Sequence, residues 1–241
     1  MSSEVAAVLV IAVAVLIGSV VQGLVGLGVG LVSAPVVTLL APSLMPGTLL
    51  WMGLLTPALT LVLDRGEIDW DGMAWGIPAR IPGTVLGVLL VGWFSHRELG
   101  IAVGIMVLVS VLVTWRAVRL PINRVSLVAA VFLSGVGATT TSIGGPPIAV
   151  LYQHQPARRI RNTLAVYFAL GAMFSLVALA ITGDLTRHQT AIAAILAPGV
   201  PLGLWLSRVL RRRLDLRSIR AGVLVVCAAS ALLLLVRSLG S

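Results

Sequence analysis

Apolar runs about as long as a bilayer is thick recur along nearly the whole chain, and no other feature restricts its fold as much. They fall at residues 5–41, 46–63, 73–94, 99–115, 125–153, 162–182, 190–210 and 219–236. A helix needs ~20 mostly apolar residues to cross the hydrocarbon layer. In lipid every backbone N–H and C=O must find a partner inside the segment, so such runs fold as helices. A membrane β-barrel would show short segments of alternating polarity instead. The chain is 59% hydrophobic and 10% charged, whereas a soluble domain carries about 25% charged residues. Lipid must therefore solvate much of its surface, and the expected class is an all-α, polytopic membrane protein. The opening Met1–Val5 has no basic region, and no small-residue cleavage site follows the first run. Residues 5–22 are therefore expected to be a retained helix, not a signal peptide.

The net charge of +9 would suggest a nucleic-acid partner if it formed a stripe. Instead the arginines gather in short loops, which is a topology signal. Loops 154–161 and 211–217 are Arg-rich and are expected on the cytoplasmic side. Counting back one run at a time puts the acidic loop 64–71 outside. The basic loop 116–124 then also falls outside, as a single exception to the rule. This scheme gives about eight crossings with both termini outside.

The two halves echo each other. Gly23 and Pro35 align with Gly135 and Pro147 at an offset of 112, and Pro82 with Pro201 at 119. Two repeats of four crossings follow, 1–118 and 119–241, joined in one membrane domain. An even number of crossings per repeat makes the repeats parallel, which is the preferred expectation. Five crossings per repeat would make them inverted. That alternative requires 5–41 and 125–153 to be full hairpins, and it is expected to put the two Arg-rich loops on opposite sides.

Runs 5–41 and 125–153 are too long for one straight helix, and each holds a Gly/Pro-rich break: GLVGLGVGLVSAP at 23–35 and GATTTSIGGPP at 137–147. Non-helical backbone at membrane depth is tolerated only inside protein or beside a wet cavity. Broken segments at matching places in two repeats point to a midplane binding site. Freed N–H groups and half-helix N-termini favour anions. The candidate substrate residues are Gly26, Gly28, Gly30 and Ser33 in the first break, and Thr139, Thr140, Thr141, Ser142, Gly144 and Gly145 in the second. Pro35, Pro146 and Pro147 mark the breaks, because proline cannot donate to a helix ladder. The competing reading of the glycines is close helix packing through small-xxx-small spacing.

These paired segments, set near the start of each half, resemble the TauE/SafE family of sulfite and organosulfonate exporters. The family's glycine cluster is thinned here to Gly26, Gly28 and Gly30, and to Gly144 and Gly145. The resemblance implies a multi-pass permease of the cytoplasmic membrane that exports small anions, often sulfur-containing.

Arg80 stands within run 73–94, flanked by Pro78 and Pro82, which are expected to distort the helix. At that depth a guanidinium must be paired or wetted. It either attracts the anion or snorkels to Asp69 or Asp71. Gln22 and Gln153 adjoin the breaks and orient substrate or bond between helices. The three histidines sit in or beside loops, and Cys227 lies in an apolar run. These features suggest no metal or cofactor site and no catalytic cluster, which argues against a membrane-embedded enzyme or a metal permease. No carboxylate lies deep in a run, which favours potential-driven export of an anion without a coupling ion. A channel and a carrier are not separable by sequence, and homo-oligomerisation stays open.

Overall fold

The computed structural model describes residues 2–26, 29–63, 66–116, 121–152, 155–211 and 216–240. In chain order the helices are α1 (Ser2–Val25), α2 (Val29–Leu40), α3 (Gly47–Leu63), α4 (Trp70–Trp93), α5 (His96–Arg116) and α6 (Arg124–Thr141). They continue with α7 (Gly145–Tyr152), α8 (Ala157–Thr182), α9 (Arg187–Leu196), α10 (Gly199–Arg211) and α11 (Leu216–Gly240). Seven stretches are long and apolar enough to cross a membrane: α1, α4, α5, α6, α8, α9–α10 and α11. Helix α3, with 17 residues, is an eighth apolar column of ~26 Å at 1.5 Å per residue. The protein is all-helical and membrane-type, as its apolar runs require.

Local chemistry explains where the helices start and stop. Asn123 and Ser126 form a capping box before α6, and Thr186 and Gln189 form another before α9; each satisfies two otherwise orphaned N–H groups. Gly26 ends α1 at φ 78°, a left-handed conformation that a side chain would oppose. Helix α4 continues through Pro78 and Pro82, each of which removes one bond from its ladder. Trp70, Trp93 and Trp115 are exposed near helix ends, where amphipathic rings meet the headgroups.

Both over-long runs fold back on themselves. The Ser33 hydroxyl donates to the Ala14 carbonyl at 3.1 Å, and Leu40–Leu44 lie beside Glu4–Leu9. Helix α2 therefore returns along α1. Likewise Ile148, Leu151 and Tyr152 of α7 pack against Leu127, Ala130 and Val131 of α6. Helices α2 and α7, with 12 and 8 residues, are re-entrant halves of hairpins.

The contacts between halves then fix direction. Gly76, Gly83 and Gly87 of α4 face Val131, Gly135 and Thr139 of α6, so α4 and α6 are parallel. Gly203 of α10 faces Ser19, and Ser207 faces Gly23, so α1 and α10 are also parallel. Gly53 and Gly66 meet Ala172 and Asn162, which makes α3 and α8 antiparallel. Gly100 and Gly104 meet Ser238 and Leu235, so α5 and α11 are antiparallel. Exchanging α1 with α6, α3 with α8, α4 with α10 and α5 with α11 maps this pattern onto itself with every direction reversed. The halves have the inverted arrangement, with the internal two-fold in the membrane plane; the parallel arrangement preferred from sequence is not the one observed. The physical reason is the fold-back of α2 and α7, which adds one reversal per half. The boundary expected at 118/119 lies outside the described residues, and the four most extensively packed helix pairs, α4–α6, α3–α8, α1–α10 and α5–α11, each join one half to the other.

The same reversals correct the sidedness. Asp69, in the acidic loop expected outside, is 3.2 Å from Arg159 and accepts a 2.8 Å bond from the Tyr152 hydroxyl. The acidic loop thus shares a face with the Arg-rich start of α8. Arg124, from the loop taken as an exception, lies 4.1 Å from the Trp75 ring centre near the start of α4. Arg124 therefore sits on the same face, and the exception disappears. The start of α8 and the end of α10, which border the two Arg-rich stretches, lie on one side because α8 and α9–α10 separate them by two passes in either scheme.

Asp69 also accepts from the Gly72 N–H as the α4 cap, and its own N–H donates to Thr163. One carboxylate thereby ties the ends of α4, α7 and α8. Asp69→Ala should lower stability by about 2–3 kcal/mol, from a lost cap and lost charge-assisted bonds. Arg159→Ala, whose side chain is 38% exposed, should cost less than ~1 kcal/mol. Denaturant unfolding in detergent distinguishes the two. Equal losses would mean that Asp69 acts only through the ion pair.

Candidate anion site between the hairpin tips

The two hairpin tips meet inside the protein. Gly30 lies directly against the Ser142 carbonyl, too close for any side chain. Ser142 ends α6 in the left-handed region at φ 60°, and its hydroxyl donates to the Pro46 carbonyl at 3.0 Å. Around this contact is a cavity of ≈ 50 Å³, lined from the hairpins by Gln22, Val29, Gly30, Ser142, Gly144 and Gly145. By the measure of ~10–15 Å³ per water it holds about three to five waters. Half-helices α2 and α7 begin at Val29 and Gly145, so both positive dipole ends reach its wall. Pro146 and Pro147 occupy the first turn of α7. There their missing N–H groups remove no intrahelical bond; they start a helix where the sequence had suggested only a break.

Arg80 closes another side of the cavity. It is 4% exposed, on α4, ten residues or ~15 Å past Trp70 and so near mid-membrane. Its Nη1 donates to the Ser134 hydroxyl at 3.0 Å, and its guanidinium rests on Gly171 of α8. Among the described residues the Nε has no partner, and neither has the buried side-chain oxygen of Gln22. Arg80 pairs with no carboxylate among the described residues, and Asp69 is engaged with Arg159 and Tyr152. The snorkelling alternative is therefore not what the side chain does. A buried charge without a counterion is strongly unfavourable, and a small anion in the cavity would relieve it.

Other candidates are used differently. The Ser33 hydroxyl is spent inside the first hairpin. The hydroxyls of Thr139, Thr140 and Thr141 donate to the carbonyls of Gly135, Val136 and Gly137 in their own helix. Thr139 also bonds Ser175 at 2.7 Å. None of the four lines the cavity. Thr140 and Thr141 instead edge a lipid-side apolar groove with Pro146 and Pro147. Gly26 serves as the turn after α1, and Pro35 is buried within α2. Gly28 and Gln153 lie outside the described residues.

Several lining residues were not anticipated. Helix α3 contributes Leu49, Leu50, Gly53, Thr56 and Pro57, and α8 contributes Phe168 and Ala172. A signal existed: Gly53 and Gly171 recur at an offset of 118, and both lie where α3 and α8 cross over the cavity. Nothing in the sequence foretold the Ser134 bond to Arg80.

The family model described as Sulfite exporter TauE/SafE matches residues 10–234 of the chain. No curated protein and no solved structure matches it significantly.

Proposed function

The chain belongs to the TauE/SafE sulfite exporter family, and from that premise we propose that it exports a small sulfur-containing or carboxylate anion, such as sulfite or an organosulfonate, through the cytoplasmic membrane. Its multi-pass membrane character and a small-anion substrate follow from the family and the apolar helices. The proposal adds that the anion rests between the hairpin tips. The observation that carries it is Arg80, a mid-membrane guanidinium with an unpartnered Nε, facing a cavity onto which two half-helix N-termini open. No carboxylate lines that cavity among the described residues. Its size suits an oxyanion head group the size of sulfite.

Export needs no coupling ion in this reading. A negative cytoplasm favours anion exit by ~2.3 kcal/mol per charge per 100 mV, and a dianion gains about twice that. Two measurements test the proposal. Thermal unfolding of the purified protein should shift upward with sulfite, sulfoacetate or thiosulfate, by the mass-action rule for a ligand that binds only the folded state. In proteoliposomes an imposed potential should drive anion flux with substrate counterflow. No shift with any anion, or flux dependent on a proton gradient alone, would refute it.

A further inference from the structure

A second, wetter cavity of ≈ 180 Å³ lies on the arginine-bearing side of the first. Its wall includes Gly23, Thr60, Ser207, Arg161 and Arg208. Gly23 follows Gln22 of the central cavity, and Thr60 lies one turn beyond Thr56, whose carbonyl accepts its hydroxyl at 2.8 Å. The two spaces are thus neighbours along the same helices. Arg208 is held in place by a 2.8 Å bond from Nη2 to the Leu63 carbonyl at the end of α3. No carboxylate is in the wall among the described residues.

We propose that this vestibule is an anion-loading site, where a small oxyanion is captured by Arg161 and Arg208 before it moves deeper toward Arg80. The inference rests on the reading of the chain as an anion exporter. Two guanidinium groups around one wet, low-dielectric recess concentrate anions there.

The internal two-fold supplies the second argument. It carries the vestibule's helices, α1, α3, α8 and α10, onto α6, α8, α3 and α4 on the opposite side of the cavity. There the space is closed. Leu50, Val88, Leu176 and Leu179 form a buried apolar cluster with Leu54 and Val91 around it, and Thr139 bonds Ser175 across the α6–α8 seam. One end of the path is polar, cationic and open, and its symmetry mate is apolar and packed. This structure is therefore loaded from the arginine-bearing face, which positive-inside topology makes cytoplasmic.

The test uses radiolabelled sulfite in proteoliposomes, with saturation measured separately at each face. Arg161→Gln/Arg208→Gln should raise the half-saturating concentration at the cytoplasmic face ~tenfold at low salt. The effect should shrink as salt rises. Half-saturation at the outer face and the maximal rate should change less than twofold. The double Lys variant should recover most of the affinity, because it keeps the charges. Equal changes at both faces, or loss of rate alone, would overturn the assignment. So would failure of Lys to rescue, which is the signature of Arg208 merely capping α3.

A lipid phosphate has the same chemistry as a free oxyanion. Vesicles of phosphatidylcholine alone separate the two sources. An effect seen only when phosphatidylglycerol is added identifies a lipid site and overturns loading.

A second readout does not need transport. With Arg80→Met in place, stabilisation by high sulfite should persist and vanish in the triple variant with Arg161→Gln and Arg208→Gln. Persistence, together with no flux through the unsubstituted protein, would sink the export reading and leave the vestibule. Normal cytoplasmic saturation in the double variant would do the reverse. Absence of that residual stabilisation would count against the vestibule.

Discussion

Arg80→Met is expected to raise the sulfite concentration needed for thermal stabilisation by ~100-fold or more, while the ligand-free protein becomes no less stable and even more so. The two effects have opposite signs for one reason. Arg80 is 4% exposed, with a single hydrogen bond, to Ser134, and an Nε without partner. Charge-assisted bonds to an anion are worth about 1.5–3 kcal/mol each, and 1.4 kcal/mol is tenfold in affinity. Two such bonds account for the expected shift. Without an anion the same charge is a burden, and replacing a buried charge with an apolar side chain of similar volume is often neutral or stabilising. A structural arginine would behave otherwise, losing stability with or without ligand. Unfolding curves of both proteins with and without sulfite check this, and an unchanged anion response in Arg80→Met would remove Arg80 from the site.

The second large effect is expected at Gly30. Any side chain there meets the Ser142 carbonyl, with the Ser142 carbonyl carbon only 3.0 Å from its first atom. The obstacle is backbone, not the end of a flexible side chain, so the hairpin tips must separate. Overpacking of this kind costs about 1–3 kcal/mol or more. Gly30→Ala should lose that stability and most transport together, because the tips also shape the cavity. Gly222→Ala is the control: nothing lies within 4 Å of a side chain at that glycine, and alanine favours helix by about 0.8–1 kcal/mol over glycine. If Gly30→Ala transported normally, the contact between the tips would have no part in the site.

Six candidates, Gln22, Gly30, Arg80, Ser142, Gly144 and Gly145, converge on one cavity, although they come from four helices and the turn at their centre. They were legible because a buried arginine and broken backbone are costly in lipid. Thr139, Thr140 and Thr141 stay outside that cavity for an equally physical reason. A hydroxyl in a helix can bond the carbonyl one turn back, and residue type does not reveal which partner it takes. The sidedness error came from counting each long run as one pass. Glycine permits a reversal but does not require it, so the return of α2 along α1 was invisible until Ser33 met Ala14.

The residue types and run lengths by themselves determined that this chain is a helical membrane protein, that its backbone breaks twice at related places, and that one arginine lies deep in lipid. Those conclusions depend only on local backbone chemistry and on the high cost of polar groups in hydrocarbon. Tertiary structure alone decided that the halves are inverted, that Asp69 shares a face with Arg159, and that an open cationic recess opposes a packed apolar cluster. Each of these follows from contacts between residues tens to more than a hundred positions apart, whose geometry no local pattern encodes.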